Sequence, residues 1–226
     1  MEQEGIEVLL ETVRKELLSC GLITKIKKPK HRQRRERMPK EGILLQMDTS
    51  EHDWLMGRDF GINLIAGIDD ATNEVVYAQF VTSDNTLNNM AVMKGVVKRK
   101  GIPLGFYVDK ASHFLTTRHG GTHVRIKEEQ EDTQIERAVK ELGSNLIFAN
   151  SPQAKGRVER LFKTFQDRFV SEMNLKKISN IENANSFLHD GFLPNHNRKF
   201  AKTPQLPESA YIPLLKGKSL DTTFLS

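Results

Sequence analysis

The order of apolar segments between residues 43 and 195 constrains the fold of this chain more than any other feature of its sequence. Five short apolar stretches predict β-strands, at 43–49, 64–68, 75–81, 104–108 and 146–148. Segments with helical spacing predict helices at 85–99, at 135–142, from the Ser151-Pro152 cap onward, and at 181–195. The order βββαβαβα, followed by one more helix, predicts a five-stranded mixed sheet with helices on its faces.

Before this region lie a short amphipathic segment and a basic stretch. Residues 6–18 carry apolar side chains at helical spacing, and Gly21 stands where a C-terminal cap belongs. Residues 25–40 hold nine Lys or Arg against the single acid Glu36, a local charge of +8 in a chain whose total is +5. Such a density of positive charge attracts nucleic acid through counterion release, although many basic runs are only solvated linkers. The candidate phosphate contacts in this stretch are Lys28, Arg32, Arg34 and Arg35.

Composition excludes several classes of protein. A single cysteine, Cys20, excludes an internal disulfide framework and any zinc site built from several thiolates. No apolar run approaches the roughly 20 residues of a membrane helix, and the first residues lack the pattern of a signal peptide. Gly217-Lys218-Ser219 lacks the earlier glycine of a phosphate-binding loop, so no nucleotide cofactor is indicated. We therefore expect a soluble, cytoplasmic protein without a membrane partner.

Three carboxylates are candidates for chemistry on phosphodiesters. Asp48 and Asp109 each follow an apolar strand directly, where a sheet delivers side chains to its rim. Glu159 lies in the helix predicted from Ser151-Pro152 onward, beside its apolar stripe and on a flank with Lys155 and Lys163. Two Mg²⁺ ions held by a few carboxylates stabilise the charge of phosphodiester transfer. The spacing alone favours three acids that simply face water.

Motifs around these acids resemble those of a known enzyme family. The segment Ser151–Arg160 looks like the glutamate motif of DDE transposases with a retroviral-integrase-type core. Gln46-Met47-Asp48 and Tyr107-Val108-Asp109-Lys110 stand where such proteins place their two aspartates. The stretches 52–54, 68–72 and 166–168 resemble bacterial insertion-sequence transposases of the ISNCY group.

The resemblance implies an RNase H-like fold in which the first and fourth strands are neighbours. It implies that Asp48, Asp109 and Glu159 are catalytic and bind two Mg²⁺ or Mn²⁺ ions. Members of the family cleave the ends of their element and join the freed 3′-hydroxyl to target DNA, so the implied partners are DNA and further copies of the chain near the bacterial nucleoid. The DNA-facing candidates that it adds are Lys155, Arg157, Lys163 and Gln153.

These expectations divide the chain into four parts: a remnant of a helix-turn-helix region at 1–24, a basic linker at 25–41, an integrase-like catalytic core at 42–200, and a C-terminal tail at 201–226. Two alternatives to transposition stay open. One is a truncated transposase remnant that binds DNA without catalysis, because only the last helix of the usual DNA-recognition region is evident. The other is a different RNase H-like nuclease.

Overall fold

The computed structural model of the chain describes residues 10–23, 36–55, 61–111, 114, 132–149, 156–214 and 219–225. Internal contacts divide the chain into two units, Met1–Arg35 and Glu36–Ser226. In the first unit, helix α1 covers Leu10–Ser19 and has no buried residue. Gly21 follows it with a positive φ of 69°, a conformation that glycine adopts easily, and this agrees with its predicted place as the cap.

The second unit is built on a sheet of five strands: β1 at Leu45–His52, β2 at Ile62–Asp69, β3 at Val75–Val81, β4 at Gly105–Val108 and β5 at Asn145–Phe148. Their order across the sheet is β3-β2-β1-β4-β5. The pairs β1–β2 and β2–β3 are antiparallel, whereas β1–β4 and β4–β5 are parallel. The predicted mixed sheet is thus confirmed, and so is the expectation that the first and fourth strands are neighbours.

Helices cover both faces of this sheet, each over its own apolar cluster. Helices α2 (Thr86–Lys100), α3 (Gln134–Glu141) and α7 (Leu220–Leu225) pack over one face, where Leu45 and Met47 of β1 are buried. Helix α4 (Gly156–Leu175) covers the other face together with α5 (Ile181–Phe187) and α6 (Leu193–Phe200). The predicted apolar stripe of α4 is buried throughout, at Val158, Leu161, Phe162, Phe165 and Phe169.

Local sequence signals explain where several elements begin and turn. Thr133 caps α3 through a capping box with Glu136. The β2–β3 hairpin turns at Asp69–Asn73, where the Asp69 carboxylate accepts hydrogen bonds from the backbone N–H groups of Ala71 and Thr72 at 3.0 and 2.9 Å.

The helix predicted at 181–195 differs from the observed structure. Helix α5 gives way to a π-helical turn at Leu188–Phe192, and α6 then continues to Phe200. Pro194 lies directly after this turn and has no backbone N–H to donate to the carbonyl of Asp190. The regular helical ladder is therefore interrupted here, and a wider turn takes its place.

Two asparagines bind the open side of β3, which is an edge strand. The Asn185 amide accepts from the Phe80 N–H at 2.8 Å and donates to the Phe80 carbonyl at 3.0 Å. Asn197 does the same at Val75, at 2.9 and 3.0 Å. These contacts occupy backbone groups that an edge strand otherwise offers to another chain.

The segment that the sequence analysis describes as a tail contributes to the core of the second unit. Ile212 pairs with Ile102 in an isolated bridge, and Tyr211, Leu220 and Phe224 are buried. Among the described helices, none combines the length and the apolar character needed to cross a membrane.

Candidate active site

The first two predicted carboxylates lie on neighbouring strands, but Asp48 lies within β1 and not directly after it as predicted, because β1 continues to His52 in its pairing with β2. Asp48 is half-buried in β1, and Asp109 is exposed directly after β4. The parallel pairing of these strands aligns Leu45 with Phe106 and Gln46 with Tyr107. Asp48 and Asp109 each follow two residues after this last paired position, so both lie just beyond the end of the β1–β4 pairing.

Asp48 and Asp109 line one pocket of about 80 Å³. Its other lining residues are Met47, Thr49, Asp84, Asn89 and Phe114. Asp84 lies just before α2, and its carboxylate accepts a hydrogen bond from the buried Asn89 amide at 2.6 Å. The Asp109 carboxylate accepts from the Ala111 N–H at 3.1 Å. The pocket is thus rich in oxygen ligands that face one small volume.

The chemistry and size of this pocket fit a hard divalent cation. Mg²⁺ prefers oxygen ligands and usually retains several waters, and a water occupies roughly 30 Å³. Within the described part of the chain, no three His, Cys, Asp or Glu side chains are close enough to hold a metal ion together. A cation bound by Asp48 and Asp109 would therefore complete its coordination with water or with substrate oxygens.

Glu159 does not line this pocket, and it is exposed in the first turn of α4. Helix α4 packs on β1, with the Gln166 amide donating to the Ser50 hydroxyl at 3.2 Å. Glu159 lies on the same flank of α4 as Gln166, seven residues earlier, a distance of about 10 Å along the helix. Asp48 lies on the same face of β1 as Ser50, two residues earlier or about 7 Å along the strand. The helix thus brings Glu159 alongside the part of β1 that carries Asp48.

A buried network connects the starts of β1 and α4. Asp70, in the β2–β3 turn, is fully buried and forms an ion pair with Arg157. The Gln46 amide donates to the same carboxylate, and the Met38 N–H donates to it at 2.9 Å. Gln46 is itself fully buried, and its Oε1 is the one buried side-chain polar atom without a hydrogen-bond partner among the described residues.

The neighbouring Asp69 is also held by several donors. Its carboxylate accepts from the Gly42 N–H at 2.7 Å and from the Tyr211 hydroxyl at 3.2 Å. Burial, followed by the nearby Asp69 charge, raises the pKa of Tyr211 above its usual range. Tyr211 therefore stays protonated and remains a donor to Asp69, which fixes the turn that carries Asp70.

The predicted DNA-binding residues fall into three groups. Lys163 is exposed on α4, one turn after Glu159. Arg157 is instead engaged with Asp70 and only 10% of its side chain is exposed, so little of its guanidinium is accessible to a phosphate. Six others lie outside the described residues: Gln153, Lys155, Lys28, Arg32, Arg34 and Arg35.

Three polar residues of this region, Asp70, Asp84 and Asn89, escaped the sequence analysis. Asp84 carries a weak signal, because it is an acid between a strand and the N-cap Asn85 of the next helix. Asp70 lies in the stretch 68–72 that carries part of the family resemblance, but nothing there assigns it a role, and Asn89 reads as an ordinary polar residue of a helix. Only the tertiary contacts reveal that they are buried.

Two curated proteins resemble this chain along most of its length. A candidate transposase of Sinorhizobium fredii (strain NBRC 101917 / NGR234), y4bF, is 35% identical over 214 residues, 94% of this chain and 46% of that protein. The transposase for insertion sequence IS1202 of Streptococcus pneumoniae is 34% identical over 168 residues, 73% of this chain and 34% of that protein. The chain therefore spans less than half the length of either relative. No protein-family model matches the sequence.

The fold resembles that of a chain in the cryo-electron microscopy structure of the simian T-cell lymphotropic virus intasome in complex with PP2A regulatory subunit B56 gamma. The TM-score is 0.58 at 14% sequence identity, and the match covers 85% of this chain and 66% of that chain. At this identity the likeness concerns the fold alone. Together with the observed sheet order, it confirms the predicted RNase H-like architecture.

Proposed function

We propose, on the premise that this chain is related to insertion-sequence transposases and has a retroviral-integrase-like core, that it catalyses metal-dependent hydrolysis and strand transfer of DNA. One observation carries the proposal: Asp48 and Asp109, from neighbouring parallel strands, line a single pocket. Two carboxylates from neighbouring strands provide the oxygen ligands with which a divalent cation is held when it assists phosphoryl transfer.

In this proposal, each carboxylate has a distinct place. Asp48 and Asp109 hold the first divalent cation, Mg²⁺ or Mn²⁺, and Glu159 approaches from α4 to help hold a second. The bound ions would act as Lewis acids toward the phosphodiester and lower the pKa of an attacking water or 3′-hydroxyl. The chain itself contributes the orientation of these ligands, because β1, β4 and α4 belong to one packed unit.

DNA is the proposed substrate, and basic side chains would position its phosphates. Lys163 is exposed one helical turn beyond Glu159, so an ammonium group is available next to the candidate ligand. Gln153 and Lys155 precede α4, and Lys28, Arg32, Arg34 and Arg35 belong to the basic stretch. Contacts of this kind set the position of DNA and not its sequence preference.

We further propose that the active form contains several copies of the chain. The structural likeness is to a chain of an intasome that was solved as a complex with a PP2A regulatory subunit. Light scattering after gel filtration, with and without DNA, measures the number of copies directly. A monomer under both conditions would contradict this part of the proposal.

The decisive experiment compares the wild-type chain with Asp109→Asn on duplex DNA that carries the element's ends. We expect Mg²⁺-dependent nicking and strand joining by the wild type, abolished by EDTA and reduced at least about 100-fold by the substitution. Glu172→Gln is the matched control, because it removes the same charge from an exposed position of α4 outside the pocket lining and outside the motifs.

Each outcome selects one function. Joining that is lost only in Asp109→Asn supports transposition. Cleavage of any duplex without joining supports a different RNase H-like nuclease. DNA binding without cleavage by the wild type supports a non-catalytic transposase remnant and contradicts the proposal.

A further inference from the structure

We propose that Asp70 is a positioning residue for the candidate active site: its buried carboxylate fixes β1, which carries Asp48, relative to α4, which carries Glu159. Its effect on metal binding rests on the proposed function, whereas its effect on geometry does not. Asp70 lies in the β2–β3 turn and is itself too deeply buried to bind substrate.

The contacts of Asp70 toward β1 are made just before Asp48. The Gln46 amide donates to Asp70 Oδ1, and the Asp70 N–H donates to the Leu44 carbonyl at 3.0 Å. Gln46 and Asp48 point to the same face of β1, because they are two residues apart in a strand. Fixing the side chain of Gln46 therefore fixes the strand segment that presents Asp48.

The contact of Asp70 toward α4 is made just before Glu159. Arg157, the second residue of α4, forms its ion pair with the same Oδ1 atom that accepts from Gln46. One oxygen thus binds one side chain from β1 and one from α4, each two residues before a predicted metal ligand. A shift of the helix along the strand would break one of these contacts.

Stabilisation of the fold alone explains this arrangement poorly. Replacing a buried ion pair by apolar side chains is often neutral or stabilising, so such a pair is weak support for a role in stability. A cation in the first turn of a helix is also opposed by the helix dipole. In addition, Gln46 Oε1 is buried without a partner among the described residues. These features are typical of a contact that specifies one arrangement at some expense of stability.

A distance measurement tests the geometric part directly. Cys20 is the only cysteine of the chain, so a Cys20→Ser background accepts spin labels at Glu51→Cys in β1 and Arg160→Cys in α4, both exposed positions. Pulsed electron paramagnetic resonance then measures the distribution of distances between strand and helix. The double substitution Asp70→Asn/Arg157→Met removes the pair without leaving a buried charge, and we expect it to widen the distribution at least about twofold.

Arg37→Met is the matched control. The Arg37 guanidinium binds the same turn, donating to the carbonyls of Asp70 and Ala71 at 3.3 and 3.2 Å and to Asn73 Oδ1 at 2.7 Å, whereas Gln46, Arg157 and the Met38 N–H bind the Asp70 carboxylate. We expect Arg37→Met to lower the melting temperature and to leave the distribution of distances between β1 and α4 unchanged. An unchanged distribution in the double variant as well would overturn the proposal. If that variant does not fold, Arg157→Lys, which keeps the charge but loses the guanidinium fork, is expected to widen the distribution and serves the same test.

The consequence for metal binding has a separate measurement. Titration with Mn²⁺ alone, followed by its paramagnetic resonance signal, is expected to show affinity about tenfold weaker in the double variant than in Arg37→Met, as for other residues that orient metal ligands. Where Asp48→Asn does weaken Mn²⁺ binding, equal affinities in these two variants would overturn the effect of Asp70 on metal binding. If Asp48→Asn leaves Mn²⁺ binding unchanged while the double variant still widens the distance distribution, the proposed function fails and the geometric role of Asp70 stands.

Discussion

At the scale of single residues, the second unit holds several polar groups whose burial defines their behaviour. Gln46, Asp69, Asp70 and His196 are all buried, although none of them is among the predicted catalytic residues. Buried polar groups cost free energy unless they are hydrogen-bonded, and buried charges cost more unless they are also paired or neutralised. Their substitution therefore gives sharper predictions than changes at the exposed acids.

Gln46→Met is expected to change the free energy of unfolding by less than about 1 kcal/mol. The substitution removes a hydrogen bond to the Asp70 carboxylate, worth about 1.5–3 kcal/mol, but also removes the partnerless Oε1, whose burial costs about 1–3 kcal/mol. Urea unfolding measures the difference. Gln46→Glu is the contrasting variant, because it places a second carboxylate beside Asp70 and is expected to destabilise by more than about 3 kcal/mol. Similar losses in both variants would contradict this account.

His196 is expected to make stability depend on pH between about 6.5 and 4. It is buried among Phe165, Phe192 and Phe200, with ring centroids 5.0, 6.0 and 4.8 Å away. Burial, and then the charge of Arg168, lowers the pKa of His196 to about 4. The folded state therefore favours the neutral imidazole. Its contribution is complete above pH 6.5 and is lost as the pH falls toward 4, by about 3 kcal/mol in total.

Chemical denaturation at a series of pH values measures this loss, and His196→Phe is expected to reduce the slope in that window; the slope that remains there is assigned to His189, whose pKa is also lowered by burial and then by the charge of Arg99. The pKa values of Glu208 and Asp221 are also lowered, by Lys40 and Lys94. These two carboxylates become protonated in the folded state only below their ordinary pKa values of 4.5 and 3.8. Their effect on stability therefore lies at the acidic end of the pH profile. An unchanged slope in His196→Phe would exclude His196 as the source.

At the scale of secondary-structure elements, side-chain amides from two helices bind the backbone of the edge strand β3. The backbone of β3 is bound by Asn185 from α5 and Asn197 from α6, through paired contacts to Phe80 and Val75. A side-chain amide provides one donor and one acceptor, the same pair that a neighbouring strand would provide. The interrupted helix α5–α6 is thus attached to the sheet at two points.

Asn197→Ala is expected to lower the free energy of unfolding by about 1–3 kcal/mol, because the Val75 N–H and carbonyl lose their partners at a part-buried position. It is also expected to speed the amide hydrogen exchange of Val75 and leave that of Phe80 unchanged. Asn183→Ala is a suitable comparison, since Asn183 lies on the exposed side of α5. Equal effects of the two substitutions would contradict an edge-specific role.

At the scale of the whole molecule, charge is distributed very unevenly along the sequence. The stretch 25–40 carries +8, whereas the rest of the chain carries −3. A carboxylate pocket repels DNA unless cations or basic side chains offset its charge. A strongly basic segment in the same chain supplies that attraction, and this is why we assign DNA binding mainly to it.

Replacing Lys28, Arg32, Arg34 and Arg35 by Gln is expected to weaken DNA binding and make it less sensitive to salt. Each phosphate contact that is lost reduces the slope of log K against log salt by about 0.9, so the slope should fall by up to about 4. Fluorescence anisotropy with a labelled duplex at several salt concentrations measures it. Lys98→Gln/Lys202→Gln, at exposed positions of the second unit, is the control and is expected to change the slope far less. An unchanged slope in the fourfold variant would assign DNA binding elsewhere.

The sequence by itself determined the succession of strands and helices, because apolar periodicity and capping residues are local properties. The hairpin strand Val75–Val81 was predicted at its observed bounds, and the capping box of α3 follows from Thr133 and Glu136. That Asp48 and Asp109 lie on neighbouring strands was implied by the family resemblance and not by the order of strands alone. Pro194 could have signalled the break between α5 and α6, since the effect of proline on a helix is equally local.

Only the tertiary structure decided which polar groups are buried and what they touch. Arg157 is predicted from its motif to face DNA, yet it pairs with Asp70, 87 residues earlier in the sequence. Asp84 and Asn89 join the pocket because α2 packs on the sheet against β2 and β3, and no local pattern encodes that packing. The physical reason is that hydrogen bonds and ion pairs act over a few ångströms, so they depend on which distant segments the hydrophobic core brings together.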